Sequence, residues 1–77
     1  MEIKYSKQAI RYLAKIDDVK KRLIVDKIKR LPSGDVKRMR NDKYAYRLRV
    51  GNMRILFDQF DDYIWIGKVK PRGDIYK

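Results

Sequence analysis

The chain has 77 residues, with 21 Lys and Arg against 10 Asp and Glu, so its net charge is 21 − 10 = +11. That length fits one domain spanning 1–77, and no run of 18 apolar residues offers a membrane span. Cys and His are both absent, which excludes disulfides, thiolate or imidazole metal ligands, a Cys nucleophile and an imidazole base.

Residues 2–5 alternate Ile3 and Tyr5 with Glu2 and Lys4, which predicts a short strand. Ser6 can cap a helix starting directly after it. Ala9, Ile10, Leu13 and Ile16 recur at helical spacing, while Lys7, Arg11 and Lys15 take the opposite side in steps of four. Asp17 or Asp18 then caps a second helix, because a carboxylate accepts from free N–H groups and suits the positive end of the helix dipole. Leu23, Ile24, Ile28 and Leu31 form its apolar stripe, and the segment 32–35, Pro-Ser-Gly-Asp, stops it.

The period then changes. In 44–50, Tyr44, Tyr46, Leu48 and Val50 alternate with Ala45, Arg47 and Arg49, which predicts a strand with one apolar and one basic face. Gly51 and Asn52 suit a tight two-residue turn. Residues 53–57 form the next strand, Asp61 and Asp62 mark a second turn, and 63–69 is apolar on both faces, as a central strand would be. The predicted order is strand, helix, helix, strand, strand, strand. This is an α+β domain with a helical hairpin packed on one face of a mostly antiparallel sheet, the other face remaining partly open.

A charge of +11 exceeds the range of roughly 2–8 usual for a small domain and favours a polyanionic partner, RNA or DNA first. The basic residues concentrate in two stretches. Lys37, Arg38, Arg40, Lys43, Arg47, Arg49 and Arg54 form the first, and Lys68, Lys70, Arg72 and Lys77 the second. Arg47 and Arg49 leave the same strand face about 6.8 Å apart, and Arg54 begins the neighbouring strand. Asp58 is the carboxylate this reading offers them, beyond those of the turns. Most of Tyr44, Tyr46, Phe57 and Trp65 are expected in the core, whereas Tyr76 stands in a basic terminal segment. There is no Gly-rich phosphate loop and no carboxylate cluster of the kind a metal-dependent nuclease uses. The chemistry compatible with such a set is metal-free work on a phosphodiester. Arginines bind the phosphate and stabilise developing charge, and RNA supplies its own 2′-hydroxyl as nucleophile.

The run 46–57, Tyr-Arg-Leu-Arg-Val-Gly-Asn-Met-Arg-Ile-Leu-Phe, resembles the central hairpin of the RelE/ParE toxin superfamily. The ending 69–77, Val-Lys-Pro-Arg-Gly-Asp-Ile-Tyr-Lys, resembles its basic terminus with a tyrosine and looks more like the RelE branch. The resemblance implies a toxin of a type II toxin–antitoxin pair that cleaves mRNA in the ribosomal A site, giving a 2′,3′-cyclic phosphate. It assigns Arg47, Arg49, Arg54 and Arg72 to phosphate binding and catalysis, with Lys70 as a rival for the Arg72 role, and Tyr76 to stacking on a base. Lys43, Lys68 and Lys70 are expected to bind RNA. A guanidinium does not readily give up its proton, so the general base is left among Lys70, Tyr76 and solvent or ribosomal RNA. The implied partners are a cognate antitoxin, mRNA and the ribosome, with no metal, no cofactor, no membrane and a cytoplasmic location. The alternatives are a ParE-like poison of DNA gyrase and a degenerate relative that binds only antitoxin or nucleic acid.

Overall fold

In the computed structural model, residues 2–71 are described. They form β1 (Glu2–Tyr5), α1 (Lys7–Lys15), α2 (Asp18–Lys29), β2 (Asp35–Arg38), β3 (Tyr46–Val50), β4 (Met53–Gln59) and β5 (Tyr63–Pro71). The five strands make one sheet in the order β1-β5-β4-β3-β2. β1 runs parallel to β5, and every other pairing is antiparallel.

The helix boundaries are set by capping. Ser6 accepts the Ala9 N–H at 3.1 Å, and Asp17 accepts the Lys20 N–H at 2.8 Å, each satisfying a free donor of the first turn. Ala9 and Leu13 of α1 and Ile24 and Ile28 of α2 are buried against Leu48, Val50, Met53, Ile55, Phe57, Ile64, Ile66 and Val69 of the sheet. This cluster is the core, and it lies between the helices and one sheet face. Two members of the expected helical stripes stay outside it, Ile10 at 56% exposure and Leu23 at 48%.

The strand prediction needs one addition. The sequence pattern predicts a turn and a basic connection after the second helix, yet β2 pairs with β3 throughout, Asp35 with Arg49 and Arg38 with Tyr46. The first predicted strand of the second half is also shorter than 44–50, because β3 starts at Tyr46. Gly51 takes φ +56° in the β3–β4 turn, a left-handed conformation that glycine adopts without a Cβ clash.

β5 carries an irregularity at Gly67. Leu56 pairs with Lys68 but Phe57 pairs with Ile66, so Gly67 is an extra residue in the ladder. β1 stops pairing at Ile66, and side chains of the α1 region take over the exposed edge. Ser6 Oγ donates to the Gly67 carbonyl at 2.7 Å. Gln8 accepts the Val69 N–H at 3.3 Å and donates to its carbonyl at 3.4 Å. An edge strand left with unpaired backbone groups would invite aggregation, and these two residues close it.

Candidate functional site

The register places the basic residues in rows across the open sheet face. Asp35, Arg49, Arg54 and Lys70 stand in one row over four adjacent strands. Lys37, Arg47, Leu56 and Lys68 form the next. Adjacent strands lie about 4.8 Å apart, so each row is a ladder of closely spaced side chains. The alternation along β3 that sends Leu48 and Val50 into the core sends Arg47 and Arg49 to this face.

Lys37, Arg38, Met39, Arg40, Arg47, Arg49 and Arg54 line a cleft of about 710 Å³. Its floor is unusually buried for cations. Arg47 is 7% exposed. The Nε atoms of Arg49 and Arg54 are buried without a hydrogen-bond partner among the described residues. Leaving a buried donor unsatisfied costs about 1–3 kcal/mol, and more for a charged group. The carboxylate beside them is Asp35, with Oδ1 3.8 Å from Arg47 and Oδ2 3.9 Å from Arg49. These are ion-pair contacts too long for hydrogen bonds. Among the described residues, one exposed carboxylate therefore faces two guanidinium groups, and the cations lining the cleft outnumber it.

Asp35 is the site residue that the sequence pattern does not reveal. The expected carboxylate, Asp58, is used elsewhere, since its Oδ1 accepts the Ala45 N–H at 2.8 Å and anchors the loop before β3. The signal for Asp35 lies in cross-strand register, visible only once β2 is recognised as a strand.

A second hollow, of about 350 Å³, adjoins this cleft across β4. Lys43, Tyr44, Lys68 and Lys70 line it together with Gln8, Asp42, Leu56 and Gly67. Tyr44 reaches over the sheet to Gly67. A Cβ added there would lie 2.0 Å from Tyr44 Cε1, so the missing side chain is what lets the ring settle on the strand. Of the expected aromatic core residues, Phe57 is fully buried and Tyr46 stacks on it at 5.4 Å, while Trp65 and Tyr44 are only half-buried.

The structure thus brings together Arg47, Arg49 and Arg54, and places Lys70 in the same row as Arg54, with Lys43 and Lys68 beside it. Arg72 and Tyr76 lie outside the described residues. Among the described residues no group of three or more carboxylates could hold a metal ion, and no helix is long and apolar enough to cross a membrane.

Solved structures place this arrangement in a fold. A chain of the archaeal RelE–RelB complex from Pyrococcus horikoshii OT3 matches with a TM-score of 0.73 and 24% identity, covering 94% of each chain. The chain has the RelE-like toxin fold. A chain of the RelBE2 toxin–antitoxin complex from Mycobacterium tuberculosis matches with a TM-score of 0.74 and 23% identity, over 92% of this chain and 96% of that one. One from the RelB–RelE complex of Methanococcus jannaschii reaches 26% identity at a TM-score of 0.68, over 94% and 93%. No family model and no curated protein matches the sequence. In this RelE-like fold the α+β expectation holds, including the helical hairpin on one sheet face. The open face is the one that carries the arginine cleft.

Proposed function

We propose that this chain is the toxin of a type II toxin–antitoxin pair and an endoribonuclease that cleaves mRNA in the ribosomal A site. The observation that carries the reading is the arginine cleft, whose buried Arg49 and Arg54 Nε–H groups have no hydrogen-bond partner among the described residues. A phosphodiester offers the acceptors these donors lack, and guanidinium groups bind it through paired N–H contacts. The similar solved structures are complexes of RelE with RelB, which supports an antitoxin as the protein partner here.

In the proposed reaction the ribose 2′-oxygen attacks the adjacent phosphorus and loses its proton. The bond from phosphorus to the 5′-oxygen breaks, and that oxygen takes up a proton. The products are a 2′,3′-cyclic phosphate and a 5′-hydroxyl. Arg47, Arg49 and Arg54 hold the phosphate and stabilise the charge that builds on its free oxygens. They do not act as bases, because guanidinium groups stay protonated. Lys70 takes part in proton transfer in this reading, which is supported by its position cross-strand from Arg54. Arg72 adds a further phosphate contact, and Tyr76 stacks on a base.

Induction of the chain followed by mapping of mRNA 5′ ends, with gyrase supercoiling assayed in parallel, tests this function. The proposal predicts new ends within translated codons and normal supercoiling. Intact mRNA with impaired supercoiling would replace it with gyrase poisoning.

A further inference from the structure

The hollow beside the arginine cleft has its own cations, Lys43 and Lys68, both exposed, and it shares Lys70 with the row that contains Arg54. Its floor includes Leu56, an apolar side chain between Arg47 and Lys68 in its row that is only 3% exposed. Its back is the Tyr44 ring, fixed on Gly67. The loop that carries this ring is held at both ends. Met39 N–H donates to the Ala45 carbonyl at 2.8 Å, Tyr44 N–H to Asp42 Oδ1 at 3.2 Å, and Ala45 N–H to Asp58 Oδ1 at 2.8 Å. The same loop supplies Met39 and Arg40 to the arginine cleft, so one anchored segment walls both hollows.

The separation of the two is fixed by the sheet. Passing from Arg49 on β3 to Lys70 on β5 crosses two strand spacings, about 10 Å. A single strand can bridge that gap within one or two nucleotides. Cations around an aromatic and aliphatic floor are the combination that holds a nucleotide without reading its sequence.

We propose that Lys43, Tyr44, Lys68 and Lys70 form a second nucleotide subsite, which takes the nucleotide adjoining the phosphate held in the arginine cleft. Lys68 and Lys43 contact its phosphate, and its base or sugar rests against Tyr44 and Leu56. Lys70 stands at the border between the two subsites. This inference rests on the reading of the arginine cleft as a site for single-stranded RNA.

The test uses the full chain and two uncleavable 2′-O-methyl oligonucleotides, one with a single phosphate and one extended by a nucleotide, measured by calorimetry or fluorescence anisotropy over a range of salt. The parent is expected to bind the longer probe about tenfold more tightly. The Lys43→Ala/Lys68→Ala variant alters two exposed residues and so keeps its fold. It is expected to lose that gain, to lower the salt slope for the longer probe by about 0.7, the value of one phosphate contact, and to bind the shorter probe as the parent does. Arg54→Ala is expected to weaken both probes. If the double lysine variant retains the gain for the longer probe, the second subsite is refuted while the arginine cleft stands. If the parent binds neither probe, both readings fall.

Discussion

The two faces of this sheet are built from the same strands under opposite rules. On the helix-covered face, Phe57, Ile55, Ile66 and Val69 are fully buried within one apolar cluster. On the open face, Arg47 is almost as deeply buried. Among the described residues, Asp35 is the carboxylate within ion-pair distance of it and of Arg49, and the Nε donors of Arg49 and Arg54 are left without hydrogen bonds. The first face is arranged for the stability of the folded chain. The second holds like charges together at a cost, an arrangement that the proposed phosphate-binding role would offset. A protein selected only for stability would replace some of those arginines by apolar or neutral residues.

The largest effect should come from the covered face. Phe57→Ala is expected to cost about 3–5 kcal/mol, as much as the whole core of so small a domain supplies. Urea denaturation would show a largely unfolded chain. A loss under about 1 kcal/mol would break the contrast, because the covered face would then not be the source of stability.

Gly67→Ala probes how the open face is closed over its own apolar floor. The new Cβ would meet the Tyr44 ring at 2.0 Å, so the ring must leave the strand. The expected cost is about 1–3 kcal/mol. In a Tyr44→Ala background most of that cost should disappear, since the clash has no ring to meet. Equal costs in the two backgrounds would show that the glycine is needed for its backbone alone.

Arg49→Met and Arg54→Met sharpen the comparison by sign. Each removes a guanidinium with a buried, unsatisfied Nε. Stability should rise or stay within about 1 kcal/mol, because a well-packed apolar replacement relieves both the desolvation and the repulsion. RNA binding should fall in the same variants. A loss of stability beyond about 2 kcal/mol would make these arginines structural.

The smallest effect concerns Tyr5, on the covered side near the sheet edge. Burial raises its phenol above the ordinary value of 10.0. The folded state therefore holds the proton more tightly than the unfolded state. Its contribution to stability is complete below about pH 10 and declines as the pH rises through the folded value. Tyr5→Phe should flatten part of the loss of stability seen above about pH 10 in urea titrations. An identical pH dependence in the variant would show that the phenol takes no part.

The covered face is largely legible in the sequence, and the open face only in part. Alternation in 46–50 and 53–57 separates Leu48, Val50, Ile55 and Phe57 from Arg47, Arg49 and Arg54 without any coordinates, because a strand has a period of two. β2 is not legible. Asp35-Val36-Lys37-Arg38 contains one apolar residue, and its strand character comes from pairing with β3. Without β2, Asp35 cannot be placed beside Arg47 and Arg49. The helical stripes overstate the core by Ile10 and Leu23, since a spacing of three and four defines a face wider than the sheet covers. The seating of Tyr44 on Gly67 depends on an irregular rung in β5, for which the sequence offers only an isolated glycine.

The most direct measurement of the central claim, that the open face exists to hold and cleave an RNA phosphodiester, is single-turnover cleavage on mRNA-programmed ribosomes. The parent should yield fragments ending in a 2′,3′-cyclic phosphate. Arg49→Ala/Arg54→Ala should lose at least about 10²-fold in rate, the scale of one missing charge-stabilising donor, while Lys29→Ala at the end of α2 should cleave as the parent does. Cleavage by the double arginine variant at the parent rate would contradict the account.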